Sequence, residues 1–422
     1  MKHTIDELRQ WQSLPLSIKE RMSMQRIRDW VHEYGEEGVY ISYSGGKDST
    51  VLSHLVDRTF PGNKIPRLFV DTGLEYPEIR QFARQDPRCV FIKPKMNFRQ
   101  VIEKHGYPLI SKEVSEAIEG AQKYLQKLID ESKILTDRQT DRQTDRQTDR
   151  QTDRQTDRQT ELPYKYFFDK LNGTGVYAKS GGRLNEEELA TLLSQRMKER
   201  KGGSNQRLAQ MLGWLTDNGE IKANIPSEDK SAYSQERYKF FLRAPFKVSN
   251  KCCNEMKKKP AHEYSRKTGR VAMTGEMADE SRLRTQKWLQ NGCNGFDLKY
   301  PKSTPMAFWT NQDVLKYIKE NQVQICSVYG EIAVDYDKDE QCEGQMCFGE
   351  QSLKTTGCKR TGCMFCGFGC HLEKEGEGRF ELLKKTHPQV YDYIMRPKEK
   401  GGLNYKEVID WINQNGDMNI RY

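Results

Sequence analysis

The stretch that decides the fold runs from Val39 to Val56 and reads VYISYSGGKDSTVLSHLV. It predicts a strand, a turn with two glycines, and a helix that begins near Asp48. Glycines allow a tight turn and a close approach of the backbone to a ligand. The amides at a helix start attract an anion, and Lys47 adds a cation. We therefore predict that this turn binds a phosphate chain; the alternative is a turn that merely carries a lysine.

A second polar turn follows the next predicted strand, in the segment Phe69–Glu78, which reads FVDTGLEYPE. In an open parallel sheet, the loops at the carboxyl ends of the strands form the ligand crevice. Asp71 and Glu75 could orient a nucleotide there or hold Mg²⁺ against its phosphates. The alternative is that Asp71 or Thr72 caps the following helix.

Apolar runs alternate with helical segments in two parts of the chain. The predicted strands are Val39–Tyr43, Leu68–Val70, Val90–Ile92 and, much later, Arg270–Gly275. This alternation indicates an α/β fold with a parallel sheet flanked by helices. We predict a nucleotide-binding domain made of residues 1–110 and 243–335, interrupted by an insertion at 111–242. Residues 336–422 form a cysteine-rich part that closes with a helix from about Tyr405 to Asn413.

The first 37 residues read as an amphipathic helical region, with Ile18, Met22, Ile27 and Trp30 as predicted core positions. The insertion begins with a predicted helical arm from Val114 to Ile134. Its lysine- and glycine-rich stretch, Lys198–Ser204, is either a solvated surface or a contact to a phosphate backbone.

Residues 136–159 repeat the unit Thr-Asp-Arg-Gln without error. Each unit carries one acid and one base and has no apolar side chain, so the tract cannot join a core; it is either a solvated helix or a flexible loop. The unit can be encoded by the tetranucleotide ACAG read through a triplet frame. We therefore hypothesise that the gene is phase-variable through slippage, the rival being an in-frame duplication. Mixed synonymous codons across the copies would contradict slippage.

The composition permits several classes of protein and partner. The chain has 422 residues and a formal net charge of +9, which permits nucleic-acid binding without requiring it. It contains no run of about 20 apolar residues, the length that a membrane span needs. The first residues, MKHTID, lack the apolar core of a signal peptide. We expect a cytoplasmic protein with no membrane partner.

All cysteines except Cys89 lie from Cys252 onward, and clustering in a large chain favours metal or redox chemistry over disulfides. Thiolates select zinc or iron–sulfur clusters. Four cysteines lie closest together in the sequence, and their spacing predicts that they bind one metal site together: Cys358, Cys363, Cys366 and Cys370. Cys342 and Cys347 are predicted to be plain thiols. His371 could donate to a cluster sulfur or a phosphate, although a lone histidine is more often structural.

Several motifs resemble known families. The SGGKDS turn resembles that of the PP-loop ATP pyrophosphatases, the adenine nucleotide alpha-hydrolase-like fold. The VDTG…PE turn resembles the phosphoadenosine phosphosulfate (PAPS) reductase branch. The segment Phe308–Ile318 resembles the W-T-x-x-D-V-x-x-Y-I helix of that family, and its spacing predicts an amphipathic helix with Val314, Leu315 and Ile318 inward. The segment Phe246–Pro260 resembles the CCxxxK-P motif of adenylylsulfate reductases. This resemblance implies a [4Fe–4S] cluster rather than zinc, with the ligands Cys252, Cys253, Cys363 and Cys366, and with Cys293 and Cys358 as reserves.

The segment Thr274–Arg284 resembles the TGxRxxxSxxR loop of the same reductases, which implies nucleotide contacts from Gly275, Arg282 and Arg284. Two features depart from the pattern. Met277 replaces the usual arginine, and the chain has no C-terminal ECGLH-type motif with a nucleophilic cysteine.

The resemblance implies an enzyme that binds an adenine nucleotide, either ATP or PAPS or adenylylsulfate. Lys47 and Asp48 would be catalytic, and Asp48 and Asp71 would position the nucleotide or its Mg²⁺. The nucleotide would be bound by Ser44, Gly45, Gly46, Lys47, Asp48, Ser49, Asp71, Thr72 and Gly73. The implied reaction is sulfonucleotide reduction or a related sulfur transfer, with an electron or sulfur donor of unknown identity. The alternatives are ATP-dependent sulfur transfer to DNA or tRNA, and a non-catalytic nucleic-acid-binding accessory protein.

Overall fold

The structure is a computed structural model that describes residues 2–124, 127, 193–194, 197–198, 203–222, 234–335, 351–376 and 378–422. The predictions on the repeat at 136–159 and on Cys342 and Cys347 lie outside these residues, as do most of the stretch Lys198–Ser204 and the end of the helical arm. The chain forms two compact units, one of residues 1–98 and 253–364 and one of residues 99–252 and 365–422. The domain bounds at 110, 243 and 336 stay a prediction.

The strands are β1 (Val39–Ser42), β2 (Arg67–Val70), β3 (Cys89–Ile92), β4 (Leu109–Ile110), β5 (Val271–Thr274), β6 (Asn294–Gly295), β7 (Lys302–Ser303), β8 (Ile332–Val334), β9 (Leu353–Thr355) and β10 (Gly367–Phe368). The α-helices are α1 (Ile5–Gln12), α2 (Leu16–Tyr34), α3 (Lys47–Thr59), α4 (Pro77–Ala83), α5 (Phe98–His105), α6 (112–124), α7 (Ser204–Met211), α8 (Lys259–Thr268), α9 (Arg282–Asn291), α10 (Asn311–Glu320), α11 (Arg379–Thr386), α12 (Pro388–Met395) and α13 (Tyr405–Gly416). A π-helical turn, Asn254–Lys258, leads into α8. None of the described helices is long and apolar enough to cross a membrane.

The first unit is built on a six-stranded sheet with the order β3-β2-β1-β5-β7-β6. All neighbouring pairs are parallel except β6 and β7. Ser42, at the end of β1, pairs with Leu68 on one side and with Thr274 on the other. The turns that follow β1, β2 and β5 therefore lie at the same edge, where the strand order reverses and open α/β sheets bind their ligands. The predicted α/β fold with helices flanking a largely parallel sheet is confirmed.

Two small sheets complete the strand pairing: β8 pairs with β9 in the first unit, and β4 pairs with β10 in the second. The core of the second unit gathers around Tyr405, whose side chain is fully buried. The rings of Tyr107 and Phe380 lie 5.2 and 5.8 Å from the Tyr405 ring. Tyr405 begins α13, so this cluster anchors the C-terminal helix that the sequence predicted.

The predicted core stripe of α2 is correct at Ile27 and Trp30, which are fully buried, but wrong at Ile18, which is exposed. Lys19 is buried instead, because its ammonium group pairs with Asp313 at 2.7 Å. An ion pair with good geometry allows a charged residue to occupy an interior position. Hydrophobic periodicity alone gives no sign of such a partner.

A buried arginine joins β2 to its neighbours. Arg67 has no exposed surface, and its Nη2 donates to Asp57 Oδ1 at 2.6 Å. Arg88 adds two bonds to the same carboxylate, at 2.7 and 3.0 Å. Burial raises the pKa of Asp57, but the bonds from Arg88, Arg67 and Asn63 outweigh it and hold the pKa below the ordinary value.

We expect Asp57→Asn to lower the free energy of unfolding by roughly 2 kcal/mol at pH 7, because both arginines lose a charged acceptor. A lowered carboxyl pKa contributes stability above the unfolded-state pKa near 3.9, and this contribution is lost as the pH falls below it. The gap between variant and wild type should therefore narrow below about pH 4. Urea unfolding of both proteins at pH 7 and pH 3.5 measures this difference in stability. An equal difference at the two pH values would show that the charge of Asp57 does not cause it.

Candidate nucleotide site

The turn after β1 is held in shape by its own hydroxyls. Gly45 has φ +68°, and a Cβ there would lie 2.9 Å from Ile79 Cγ2, so only glycine fits. Ser44 Oγ accepts a bond from the amide of Gly46 at 3.3 Å and lies 3.2 Å from Ser49 Oγ. Ser49 Oγ in turn donates to the carbonyl of Gly46 at 2.9 Å. The predicted turn and helix start are thus present, with α3 beginning one residue before Asp48.

The two predicted catalytic residues contact each other. The Lys47 side chain is only 3% exposed, and its Nζ donates to Asp48 Oδ1 at 2.7 Å. Lys47 is the first residue of α3, where the positive end of the helix dipole also lies. The start of α3 favours an anion at this edge of the sheet, and the Lys47 ammonium group there is paired with Asp48.

Two further hydroxyl groups reach this turn, and the sequence motifs gave no sign of either. The amide of Lys47 donates to the hydroxyl of Tyr329 at 3.1 Å, and this hydroxyl lies 2.6 Å from Thr361 Oγ1. Burial raises the pKa of Tyr329 to about 12, so the hydroxyl keeps its proton at neutral pH. A Cβ on Gly46 would lie 3.2 Å from the hydroxyl oxygens of Ser44, Tyr329 and Thr361 alike. Hydroxyls from three chain segments therefore surround the second glycine.

The turn after β2 is internally paired. Asp71 is buried, and its Oδ2 accepts a bond from Arg80 Nη2 at 2.8 Å. The amide and hydroxyl of Thr72 both donate to Glu75, at 3.1 and 2.7 Å. Gly73 has φ +75°, which permits the tight bend between them. Helix α4 begins further along the chain, so the alternative that Asp71 or Thr72 caps it does not hold.

The turn after β5 touches the phosphate turn. A Cβ on Gly275 would lie 2.8 Å from the carbonyl oxygen of Asp48 and 3.2 Å from the amide nitrogen of Ser49. Glycine is therefore required at this close approach of two backbones. The sequence singled out Gly275 as a nucleotide contact, and the structure places it directly beside the start of α3.

The two arginines predicted to contact the nucleotide differ in their surroundings. Arg282 is exposed at the start of α9, and Arg284 forms an ion pair with Glu280. In the part of the chain that the structure describes, neither forms a hydrogen bond with the phosphate turn. Met277, at the position where the reductase motif has arginine, is 2% exposed.

In each unit, the cysteines predicted to bind the cluster interact electrostatically with one nearby residue, Lys257 in the first unit and Tyr405 in the second. In the first unit, Lys257 Nζ lies 3.6 Å from Glu75 Oε1. Burial opposes the charge of Lys257, but Cys363, Glu75 and Cys253 together raise its pKa above the ordinary value. In the second unit, burial and the nearby Cys366 and Cys252 raise the pKa of Tyr405. The sequence had not linked the lysine of the CCxxxK motif to Glu75 in the turn after β2.

The nine cysteines that the structure describes form no disulfide with one another. Among the described residues, no three His, Cys, Asp or Glu side chains stand close enough together to hold a metal ion. Cys358 and Cys370 of the alternative ligand set are buried, and Cys370 Sγ donates to the carbonyl of Cys366 at 3.5 Å. His371 is half-buried, and within the described residues its Nδ1 has no hydrogen-bond partner.

A family model of the phosphoadenosine phosphosulfate reductase domain matches residues 38–160 and 212–367. This match covers more than half of the chain, and it includes the three turns at the sheet edge and the cysteine pairs. The chain therefore belongs to the phosphoadenosine phosphosulfate reductase family, within the PP-loop class of nucleotide-binding proteins. No protein with a curated description matches it.

Proposed function

We propose that this protein binds an adenine nucleotide at the turn after β1, carries a [4Fe–4S] cluster, and catalyses sulfonucleotide reduction or a related sulfur transfer. The observation that carries the proposal is the buried Lys47 at the start of α3, beside two glycines at the switch point of a parallel sheet. Its family membership supports PAPS, adenylylsulfate or ATP as the nucleotide.

The chain's own groups would act as follows. The amides of Gly45, Gly46 and Ser49 and the ammonium group of Lys47 would bind phosphate oxygens, because these four residues lie at the start of α3. Asp48, whose side chain is 27% exposed, would orient the nucleotide or share Mg²⁺ with its phosphates. Mg²⁺ usually takes only one or two protein carboxylates and completes its shell with phosphate and water. A convergent cage of carboxylates is therefore not needed at this site.

Cys252, Cys253, Cys363 and Cys366 would bind the cluster, as the family motif implies. Thiolates are the ligands that such clusters require, and the Lys257 ammonium beside Cys253 and Cys363 suits an anionic group. Zinc is the less favoured metal for the same thiolates. When bound, the cluster would supply electron or sulfur transfer.

A second function is favoured by Met277. A buried thioether cannot form the charged bonds with sulfate that an arginine would form. This supports ATP-dependent sulfur transfer to DNA or tRNA, in which the nucleotide carries no sulfate. A non-catalytic nucleic-acid-binding accessory protein is the remaining alternative.

Turnover assays with anaerobically purified protein separate these functions. Sulfite release from PAPS or adenylylsulfate in the presence of a thiol donor supports reduction. Pyrophosphate release from ATP only when DNA or tRNA is added supports sulfur transfer. Absence of turnover with every nucleotide, together with salt-dependent nucleic-acid binding, would contradict both enzymatic functions.

Tyr329→Phe tests which amides hold the phosphate. The variant leaves the Lys47 amide without its acceptor, and a buried amide that loses its partner costs about 1–3 kcal/mol. Because the proposed phosphate amides are those of Gly45, Gly46 and Ser49, we expect the loss of stability to persist at saturating nucleotide. Thermal unfolding with and without ATP or PAPS measures it. Recovery of wild-type stability on saturation would instead assign the Lys47 amide to the phosphate.

A further inference from the structure

A basic groove of about 800 Å³ lies on the first unit, away from the residues of the phosphate turn. One wall is the segment after β3, with Lys93 and Lys95. The other is formed by α8, with Lys259, His262 and Arg266, and Tyr300 from the loop between β6 and β7 also lines the groove. Nothing in the proposed nucleotide chemistry uses this groove.

The groove carries an excess of positive charge. Its two carboxylates are already paired: Glu255 accepts bonds from Lys259 at 2.6 and 2.7 Å, and Glu263 lies 3.2 Å from both Lys95 and Lys267. Among the described residues, no ion pair engages Lys93 or Arg266. An anion that enters the groove would thus meet cations whose charge no acid in the groove compensates.

Further positively charged side chains lie near α8. Burial is the largest cause that lowers the pKa of Lys287, and the like charges of the neighbouring Lys302, Lys258 and Arg284 lower it further. Lys302 and Arg284 each have an acidic partner, in Glu276 and Glu280. Lys258 lies next to the groove residue Lys259 and extends the positive field along the helix. Lysines and arginines clustered on one face are the electrostatic footprint of a nucleic-acid-binding surface.

An aromatic platform stands in the groove. The rings of His262 and Tyr300 stack with a centroid distance of 4.5 Å and an interplanar angle of 7°. Tyr300 is 56% exposed, so a ligand in the groove can reach its ring. Burial and the charge of Lys258 lower the pKa of His262, so the imidazole that supports the ring is neutral at pH 7. Exposed rings beside a basic groove are the combination on which unpaired bases stack.

We infer that this groove binds single-stranded nucleic acid, with phosphates on Lys93 and Arg266 and one base stacked on Tyr300. Base-paired duplex offers the same phosphates but no exposed base face. The inference is independent of the proposed nucleotide site, because none of these residues belongs to the turn after β1.

Fluorescence anisotropy of a labelled 15-nucleotide oligo-dT tests the inference, with oligo-U and a 15-base-pair duplex as comparisons. We expect saturable binding at 50 mM salt, weaker for the duplex. Tyr300→Ala should raise the dissociation constant for the single strand about tenfold, whereas Tyr300→Phe, which keeps the ring, should leave it nearly unchanged. Lys93→Ala/Arg266→Ala should reduce the steepness of the salt dependence by about 1.4, or about 0.7 for each phosphate that the variant no longer neutralises.

The matched control is Lys384→Ala/Lys385→Ala, which removes two exposed lysines from α11 in the second unit. It should leave the salt dependence as in the wild type. Equal effects of the two double variants, equal effects of Tyr300→Ala and Tyr300→Phe, or duplex binding as tight as that of the single strand would each overturn the inference. Absence of saturable binding would do the same. Tighter binding of oligo-dT or of oligo-U would tell DNA from RNA as the preferred ligand.

Discussion

Lys47→Met is expected to weaken nucleotide binding between about 10-fold and 100-fold, because a hydrogen bond to a charged group contributes about 1.5–3 kcal/mol. Methionine keeps the length of the side chain but removes the ammonium group from the start of α3. The Asp48 carboxylate loses its partner at 2.7 Å, yet it is 27% exposed and can be hydrated, so the fold should persist. Titration calorimetry with ATP, PAPS and adenylylsulfate in the presence of Mg²⁺ measures the dissociation constants.

Lys64→Met provides the control. Lys64 is an exposed lysine of the same unit, and the change removes the same charge from the chain without touching the turn. We expect nucleotide affinity within twofold of the wild type, because an exposed charge contributes little at physiological salt. If Lys47→Met bound all three nucleotides as tightly as Lys64→Met, the turn after β1 would not be the phosphate site.

The parts of the fold that the sequence predicted are those encoded by local pattern. The apolar run of β1, the glycines of the turn and the helix that follows stand next to one another in the chain, so their order alone indicates the geometry. The same holds for α10, where Val314, Leu315 and Ile318 are buried as predicted. Because β1, β2 and β5 are parallel, their predicted turns necessarily meet at one edge of the sheet.

The parts that escaped prediction depend on partners far along the chain. Lys19 is buried because of Asp313, and Tyr329 reaches the phosphate turn from a short helical turn outside every recognised motif. A tyrosine that binds a distant amide looks, in the sequence, like any core aromatic residue. Glu75 was considered only as a nucleotide or metal contact, whereas in the structure it accepts bonds from Thr72 and lies 3.6 Å from Lys257. Its charge is thus engaged by the segment that carries the cysteine pair.

The ion pair between Glu75 and Lys257 joins the turn after β2 to the segment that carries the cysteine pair. The turn after β2 contributes to the edge of the sheet where the nucleotide is proposed to bind, and the charge of Lys257 is favoured by Cys363 and, more weakly, by Cys253. An ammonium group between a carboxylate and two thiols would favour their thiolate forms, which are the forms that bind metal. Within the first unit, polar interactions therefore link the turn after β2 to the cysteine motif.

Cys363→Ser is expected to abolish cluster loading. Cys363 belongs to both ligand sets that the sequence allows, and a serine hydroxyl is a poor replacement for a thiolate at iron. After anaerobic reconstitution, the wild type should absorb near 400 nm and contain about four irons and four sulfides per chain, and the variant should contain almost none. Cys89→Ser is the control, because Cys89 lies in β3 outside both sets and burial raises the pKa of its thiol to about 12.

Two further variants decide between the ligand sets. If Cys252, Cys253, Cys363 and Cys366 bind the cluster, Cys252→Ser should lose iron as Cys363→Ser does, while Cys370→Ser should keep it. The opposite result would assign the cluster to the local set with Cys358 and Cys370. Cys370 is 3% exposed and donates to the carbonyl of Cys366, so its loss could also disturb the fold, and thermal unfolding of each variant separates the two effects. A colourless, zinc-loaded wild type would contradict the iron–sulfur assignment while leaving the thiolate ligands in place.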